Sequence, residues 1–296
     1  MTDLTDLFPG FASHWIDTDA GKIFARSGGA GPPLLLLHGF PETHVMWHKV
    51  AAGLAAKYSV VAMDLRGYGW SAAPRSHNGS LYSKREMGED VVAVMEALGH
   101  VRFHLAGHDR GGRVAYRLAL DHPGRIDRLC LLDIMPTFEM WKFIKAAGAA
   151  PHWPFLALPE PQPETEISKN PNAYFEKLLG QWASNPTLQG FDARAVAQYR
   201  AAWGDPTRIH AMCEDYRAGA TLDVAADEAD MAARKTILSP VHVICGATFL
   251  SGKEPPLAVW RRSFAPQASG VTLTCGHFVA EEDPAATLAS MLTFFG

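Results

Sequence analysis

Asp109 stands between two glycines in the segment GHDRGGR, Gly107 to Arg113, which follows the apolar run VRFHLA and precedes the helix-like run VAYRLAL. A residue at such a strand-to-helix turn is held out over the end of its strand, and the flanking glycines leave room for a sharp backbone turn. A carboxylate in this place has two readings. It can cap the following helix, a common role for aspartate. It can also be a nucleophile, and its type then dictates the chemistry. A carboxylate attacking a saturated carbon forms an alkyl ester, which water cleaves at the carboxyl carbon. A serine doing the same would form an ether, which water does not readily cleave. The acidic turn therefore points to displacement of a halide or an epoxide oxygen from carbon, not to ordinary ester cleavage.

Such a nucleophile needs a base to activate water and a group to orient the base. The chain has 13 histidines, so a single one carries little weight, but His277 in TCGHFVAEEDP directly follows the last strand-like run. The loop GATFLSGKEPP after the Val241 run contains no aspartate, which leaves Asp133, closing LCLLD, as the orienting acid. A capping role for Asp133 would leave His277 without an orienter. The turn HGFP, His38 to Pro41, follows the Leu34 run, and its Phe40 N–H, together with the Arg110 N–H, would face an oxygen at Asp109 as an oxyanion hole. His38 itself reads as a packed turn residue. Arg110 and Arg113 are spaced i, i+3 on the first helical turn, where the helix terminus already favours an anion. Paired guanidinium groups suit a substrate carboxylate; alternatively they balance Asp109 or bind backbone carbonyls. If both bind substrate, it is a short acid with a displaceable group at its α-carbon.

Elements must bring these residues together. WIDT and KIFARS, joined at Asp19–Gly21, predict an N-terminal antiparallel hairpin. Apolar runs then begin at Leu34, Val60, Phe103, Leu129, Val241 and Val271, with helical patterns such as MGEDVVAVMEALG between most of them. Runs apolar on both faces suit a parallel sheet covered by helices, an α/β fold. The interval from Leu129 to Val241 is far longer than the others and holds no convincing strand. It carries helix-like stretches (ARAVAQYRAAW, TRIHAMCEDYRAG) and four of the eight tryptophans: Trp141, Trp153, Trp182 and Trp203. That composition predicts a helical cap enclosing a small ligand over the strand ends. The expected division is a first core part over 1–135, a cap over 136–234 and a second core part over 235–296, with PEPQPE (Pro159–Glu164) as a loop within the cap.

Composition narrows the class. A chain 48% hydrophobic and 20% charged is an ordinary globular protein, and a net charge of −4 gives no support to nucleic-acid binding. MTDLTDLFPGF lacks the basic-then-apolar pattern of a secretory signal, and no apolar run is long enough to span a bilayer. Cys130, Cys213, Cys245 and Cys275 are widely spaced, with no metal or redox pairing, and read as buried free thiols. A cytoplasmic protein without membrane or nucleic-acid partners is expected.

GHDRGGR, HGFPETH, the LLDI strand end, HW in the insertion, CEDYRAG and the late GHF together resemble the fluoroacetate (haloacetate) dehalogenases of the α/β-hydrolase fold. The resemblance runs from FPGF near the N-terminus to the end of the chain. It implies an α/β-hydrolase core, mostly parallel sheet flanked by helices, with an inserted helical cap, and hydrolysis of a haloacetate to glycolate and halide. By that resemblance Asp109, Asp133 and His277 form a catalytic triad, and Arg110 and Arg113 hold the substrate carboxylate. His152, Trp153 and Tyr216 would form the halide pocket, where imidazole, indole and phenol can all donate to a departing anion. Trp182 would line the cavity, or simply pack in the cap. The resemblance calls for no metal and no cofactor, only a small haloacid and water, and it implies a homodimer. Two positions depart from the pattern: Pro151 and Pro154 flank His152-Trp153, and Cys245 stands where a tryptophan is expected. Epoxide hydrolases share HGxP and the aspartate turn, but usually carry an aromatic residue where this chain has Arg110, and two cap tyrosines, of which Tyr216 could be one. A non-catalytic ligand receptor is the third reading.

Overall fold

The structure, a computed structural model, describes residues 4–250 and 254–296. The predicted hairpin is β1 (Ala12–Thr18) and β2 (Gly21–Gly28), paired antiparallel. The apolar runs become β3 (Pro33–Leu37), β4 (Ser59–Met63), β5 (Phe103–His108), β6 (Ile126–Leu132), β7 (Val241–Gly246) and β8 (Ser269–Leu273). All eight join one sheet in the order β1-β2-β4-β3-β5-β6-β7-β8, parallel from β4 to β8. Leu34 to Leu37 are wholly buried, as a central strand covered on both faces requires.

Helices α1 (His48–Ala55), α2 (Lys84–Ala97) and α3 (Asp109–Asp121) cross between the early strands. From β3 the chain moves outward to β4, and from β5 it moves the other way through β6, β7 and β8. The ends of β3 and β5 therefore border the point where the strand order reverses, the natural crevice of an open α/β sheet. The predicted nucleophile turn and the HGFP turn are the segments that leave these two strands.

Between β6 and β7 the described chain is helical: α4 (Thr137–Ala147), α5 (His152–Leu156), α6 (Gln162–Ser168), α7 (Pro171–Trp182), α8 (Ala193–Trp203), α9 (Pro206–Ala220) and α10 (Leu222–Ala232). Its tryptophans tie it together and to the core. The Trp141 indole donates to the Gly219 carbonyl, and the Trp203 indole to the Pro41 carbonyl of the HGFP turn. Helix α9 is buried continuously from Ile209 to Gly219, charged residues included. After β7 come α11 (Pro256–Ser263), α12 (Val279–Glu282) and α13 (Pro284–Phe295). No helix of the described residues is long and apolar enough to cross a membrane. All four cysteines are buried and free.

Two segments differ from the sequence reading. PEPQPE is a turn only in its first half; Gln162, Pro163 and Glu164 form the first turn of α6, where a proline costs no hydrogen bond. VTLTCG leaves the sheet after Leu273, and by Gly276 the chain is so close to the 183–184 backbone that a Cβ there would lie 2.4 Å from the Ser184 nitrogen. The chain turns there to pass against the cap.

The glycines beside Asp109 are set by contact between backbones. A Cβ on Gly107 would lie 2.6 Å from the Gly111 carbonyl oxygen, and one on Gly111 would lie 2.3 Å from that of His38. No side-chain rotation relieves a backbone clash. Gly111→Ala is expected to lower stability by roughly 2 kcal/mol or more, read as a shift in the denaturation midpoint. An unchanged midpoint would show that the β3 and β5 turns are not so closely packed.

Candidate active site

Leu37 of β3 pairs with Gly107 of β5, so the two strands end side by side. The turn after β5 carries Asp109 at φ 42°, a left-handed conformation that aspartate tolerates better than most residues. A Cβ on Gly39 would lie 2.6 Å from the Asp109 Cβ, so only glycine lets the two turns approach this closely. The approach brings the Phe40 N–H to Asp109 Oδ1 at 3.1 Å, placing one expected oxyanion donor on the carboxylate itself.

Asp133 follows β6, also at positive φ (51°). Its N–H donates to the Ile244 carbonyl at 2.7 Å, and its Oδ1 accepts the Gly246 N–H at 3.0 Å, so β7 fixes both its backbone and its carboxylate. Oδ2 lies 2.6 Å from His277 Nδ1. A carboxylate accepts, so Nδ1 carries a proton and donates it to Asp133. Nε2 lies 3.9 Å from Asp109 Oδ2, on the side of the carboxylate away from Phe40. Burial pushes the Asp109 carboxyl up, but His277, Arg113, Arg110 and His108 outweigh it and hold the group below the ordinary aspartate value. His38 packs as expected: burial pushes it down to about 4, and its neutral Nε2 accepts the Leu65 N–H at 3.0 Å.

The two arginines part company. Arg113 lines a narrow cavity beside Asp109, Asp133, His277, His152, Trp153 and Trp182. Its Nη1 donates to the Met135 carbonyl and to Thr137 Oγ1, both at 3.1 Å. Backbone binding, one of the alternatives for this side chain, is thus part of its role. Arg110 does not line the cavity; it lies over the Tyr216 ring at 4.3 Å and the Trp153 ring at 5.4 Å, and Asp215 takes most of its donors. Each arginine keeps one buried nitrogen without a partner among the described residues, Nη1 of Arg110 and Nε of Arg113.

The cap delivers its aromatic residues to the same place. His152 and Trp153 open α5; Pro151 precedes them, and Pro154 falls in the first turn, where its missing N–H is not needed. The Trp153 ring lies 5.6 Å from Tyr216 and the His152 ring 6.0 Å from it, so the three expected halide donors are neighbours, although Tyr216 stands outside the cavity wall. Trp182 lines the cavity, meets the His277 ring edge-on at 5.8 Å, and accepts the His277 N–H on its carbonyl at 2.9 Å. Cys245 is buried in β7.

Sequence reasoning missed several neighbours. Phe249, from the loop after β7, packs its ring 4.1 Å from that of His277. His108 Nε2 donates to the His277 carbonyl at 3.0 Å, while its Nδ1 lies 3.1 Å from Glu42 Oε2, too poorly aligned for a regular hydrogen bond. Asp215 was within the quoted CEDYRAG and Glu42 within HGFPETH, but neither spacing nor residue type marks a buried partner. Beyond Glu42 lies Glu281, which accepts the Tyr199 hydroxyl at 2.6 Å. Burial and the nearby Glu42 carboxyl push Glu281 up to about 8.

Residues 32–284 match the α/β-hydrolase fold family. A fluoroacetate dehalogenase from Burkholderia sp is 39% identical over 294 residues, covering 97% of this chain and 95% of its own. A soluble epoxide hydrolase from Corynebacterium sp. (strain C12) is 31% identical over 91% of this chain and 92% of its own. Among solved structures, a Nostoc sp PCC 7120 protein provisionally described as an α/β hydrolase superposes with a TM-score of 0.92 at 46% identity, covering 96% of this chain and 98% of its own.

Glu281 gives a pH signature. Its folded pKa is raised from 4.5 to about 8, so between those values the folded protein holds a proton that the unfolded chain has lost. This contribution is complete below the unfolded value and disappears as pH rises through the folded one. Glu281→Gln should therefore flatten the fall in stability across that window, measured as denaturant midpoints over a pH series. An unaltered slope would rule out Glu281 as its source.

Proposed function

The chain belongs to the fluoroacetate (haloacetate) dehalogenase family of the α/β-hydrolase fold, and from that premise we propose that it hydrolyses short α-haloacids, fluoroacetate or chloroacetate, to glycolate and halide. The observation that carries this reading is the division of labour between the two Asp109 oxygens. Oδ1 accepts the Phe40 N–H, and Oδ2 is on the side of His277 Nε2.

Oδ2 attacks the α-carbon and expels halide, leaving a carboxymethyl ester on Asp109. His152, Trp153 and Tyr216 receive the anion; a poor leaving group such as fluoride needs such donors most. Arg113, with Arg110 behind it, holds the substrate carboxylate. His277 Nε2 then takes a proton from water as the oxygen attacks the Asp109 carboxyl carbon, with Asp133 stabilising the imidazolium. The oxyanion forms on Oδ1, where the Phe40 and Arg110 N–H groups stabilise it. Collapse breaks the ester bond, the imidazolium protonates the departing glycolate, and the carboxyl left on Asp109 loses its proton.

Epoxide hydrolysis is the second reading, favoured by the aspartate turn and by likeness to the Corynebacterium enzyme. It needs two phenols to polarise the epoxide oxygen. Tyr216 is one candidate, while His152 and Trp153 occupy the other side of the site.

Three outcomes are expected. The protein releases halide from fluoroacetate or chloroacetate, whereas epoxide turnover without halide release would establish the second reading. Asp109→Asn lowers kcat by roughly 10⁴-fold or more, and in a single turnover in ¹⁸O-labelled water the label enters Asp109 rather than glycolate; label in glycolate would mean direct attack by water. Arg113→Ala raises KM for haloacetates by roughly 10–100-fold, and unchanged kinetics would remove Arg113 from carboxylate binding.

A further inference from the structure

Asp215 sits in α9 of the cap, wholly buried, and three side chains from the core converge on it. Arg110 Nε lies 3.1 Å from both carboxylate oxygens, and Arg110 Nη2 donates to the Asp215 carbonyl at 2.8 Å and also to Oδ1. The Tyr68 hydroxyl donates to Oδ2 at 2.7 Å, and Lys84 Nζ pairs with Oδ1. Lys84 is steadied from its other side by Asp223, whose Oδ1 accepts the Lys84 N–H at 2.8 Å and whose Oδ2 lies 3.6 Å from Nζ.

The consequence for Arg110 is specific. A free arginine side chain samples many rotamers, and a guanidinium can offer any of three edges. Asp215 occupies the Nε–Nη2 edge completely, which leaves Nη1 as the buried nitrogen with no acceptor among the described residues. A buried donor left unpaired by the protein needs an acceptor from elsewhere. Asp215 is also shared between two cations, so it does not fully neutralise either. The neighbouring Tyr216, which lies beneath the Arg110 guanidinium, is carried by the same helical turn.

We propose that Asp215 is the positioning residue for substrate carboxylate binding: by clasping one edge of Arg110, which sits behind the cavity wall against Trp153, it holds Nη1 ready for an anionic acceptor before substrate arrives. The role of Arg110 rests on the haloacid reading above; that of Asp215 is new. Preorganisation of this kind acts on binding, because the orientation of the guanidinium is fixed in advance.

The test uses acetate, a haloacid without its leaving group, titrated calorimetrically into the full-length protein alongside haloacetate kinetics. Asp215→Asn should weaken acetate binding and raise KM by roughly 10–100-fold, with kcat changed much less. Because Asp215 acts through Arg110, the same substitution in an Arg110→Met background should add little further loss. A general packing role would instead add its full effect in both backgrounds. Tyr68→Phe keeps every charge and removes one donor to Asp215; it should raise KM a few-fold and serves if Asp215→Asn does not fold. Acetate affinity unchanged in Asp215→Asn, equal losses in the two backgrounds, or no acetate binding by the wild type would each overturn the proposal. Absence of halide release with acetate binding intact would instead overturn the haloacid reading and leave the role of Asp215 standing.

Discussion

The close approach of the backbones leaving β3 and β5 is the constraint on which the site depends. Gly39 and Gly111 have no room for a Cβ, and Asp109 is held at positive φ between them. A residue in that conformation costs on the order of 1 kcal/mol or more, so it persists only where its surroundings leave no alternative. The result is a carboxylate whose one oxygen meets a backbone donor while the other is directed at a histidine. The parallel sheet, with its reversal of strand order between β3 and β5, creates the crevice in which two turns can meet in this way.

The second organising feature is the amount of charge the cap takes out of water. Helix α9 buries His210, Glu214, Asp215 and Arg217 along one continuous stretch, and the core answers with Arg110, Lys84 and Tyr68. Breaking such a buried pair leaves an uncompensated charge, which is strongly destabilising. The cap is therefore placed by specific ionic and indole contacts as well as by apolar packing. Trp203 on the Pro41 carbonyl and Asp215 on Arg110 attach it to the same two turns that position Asp109.

Much of this was legible in the sequence. The apolar runs marked each parallel strand because strands covered on both faces must be apolar throughout, and the long interval after Leu129 marked the helical insertion because it lacked any such run. Asp109, Asp133 and His277 could be picked out because each follows a strand, where local sequence fixes position. The partners on helices were harder. Asp215 and Glu42 lie in quoted segments, yet which face of α9 or of the HGFPETH turn would meet another element depends on tertiary packing. The two arginines looked equivalent at i, i+3, but a helix turns between them, so one reached the cavity wall and the other reached the cap. PEPQPE looked like a loop because prolines break helices, although a helix accepts proline in its first turn.

His277 is tethered at both of its backbone polar groups, its N–H to the cap through Trp182 and its carbonyl to the core through His108. This histidine is thus strung between the two parts of the molecule that border the cavity. Its imidazole is aimed from the core by Asp133 while its backbone is held by the insertion, so the residue spans the seam between them. Any shift of the insertion against the sheet would therefore pull on the backbone of this one residue, which makes His277 a joint between the two parts as well as a neighbour of Asp109.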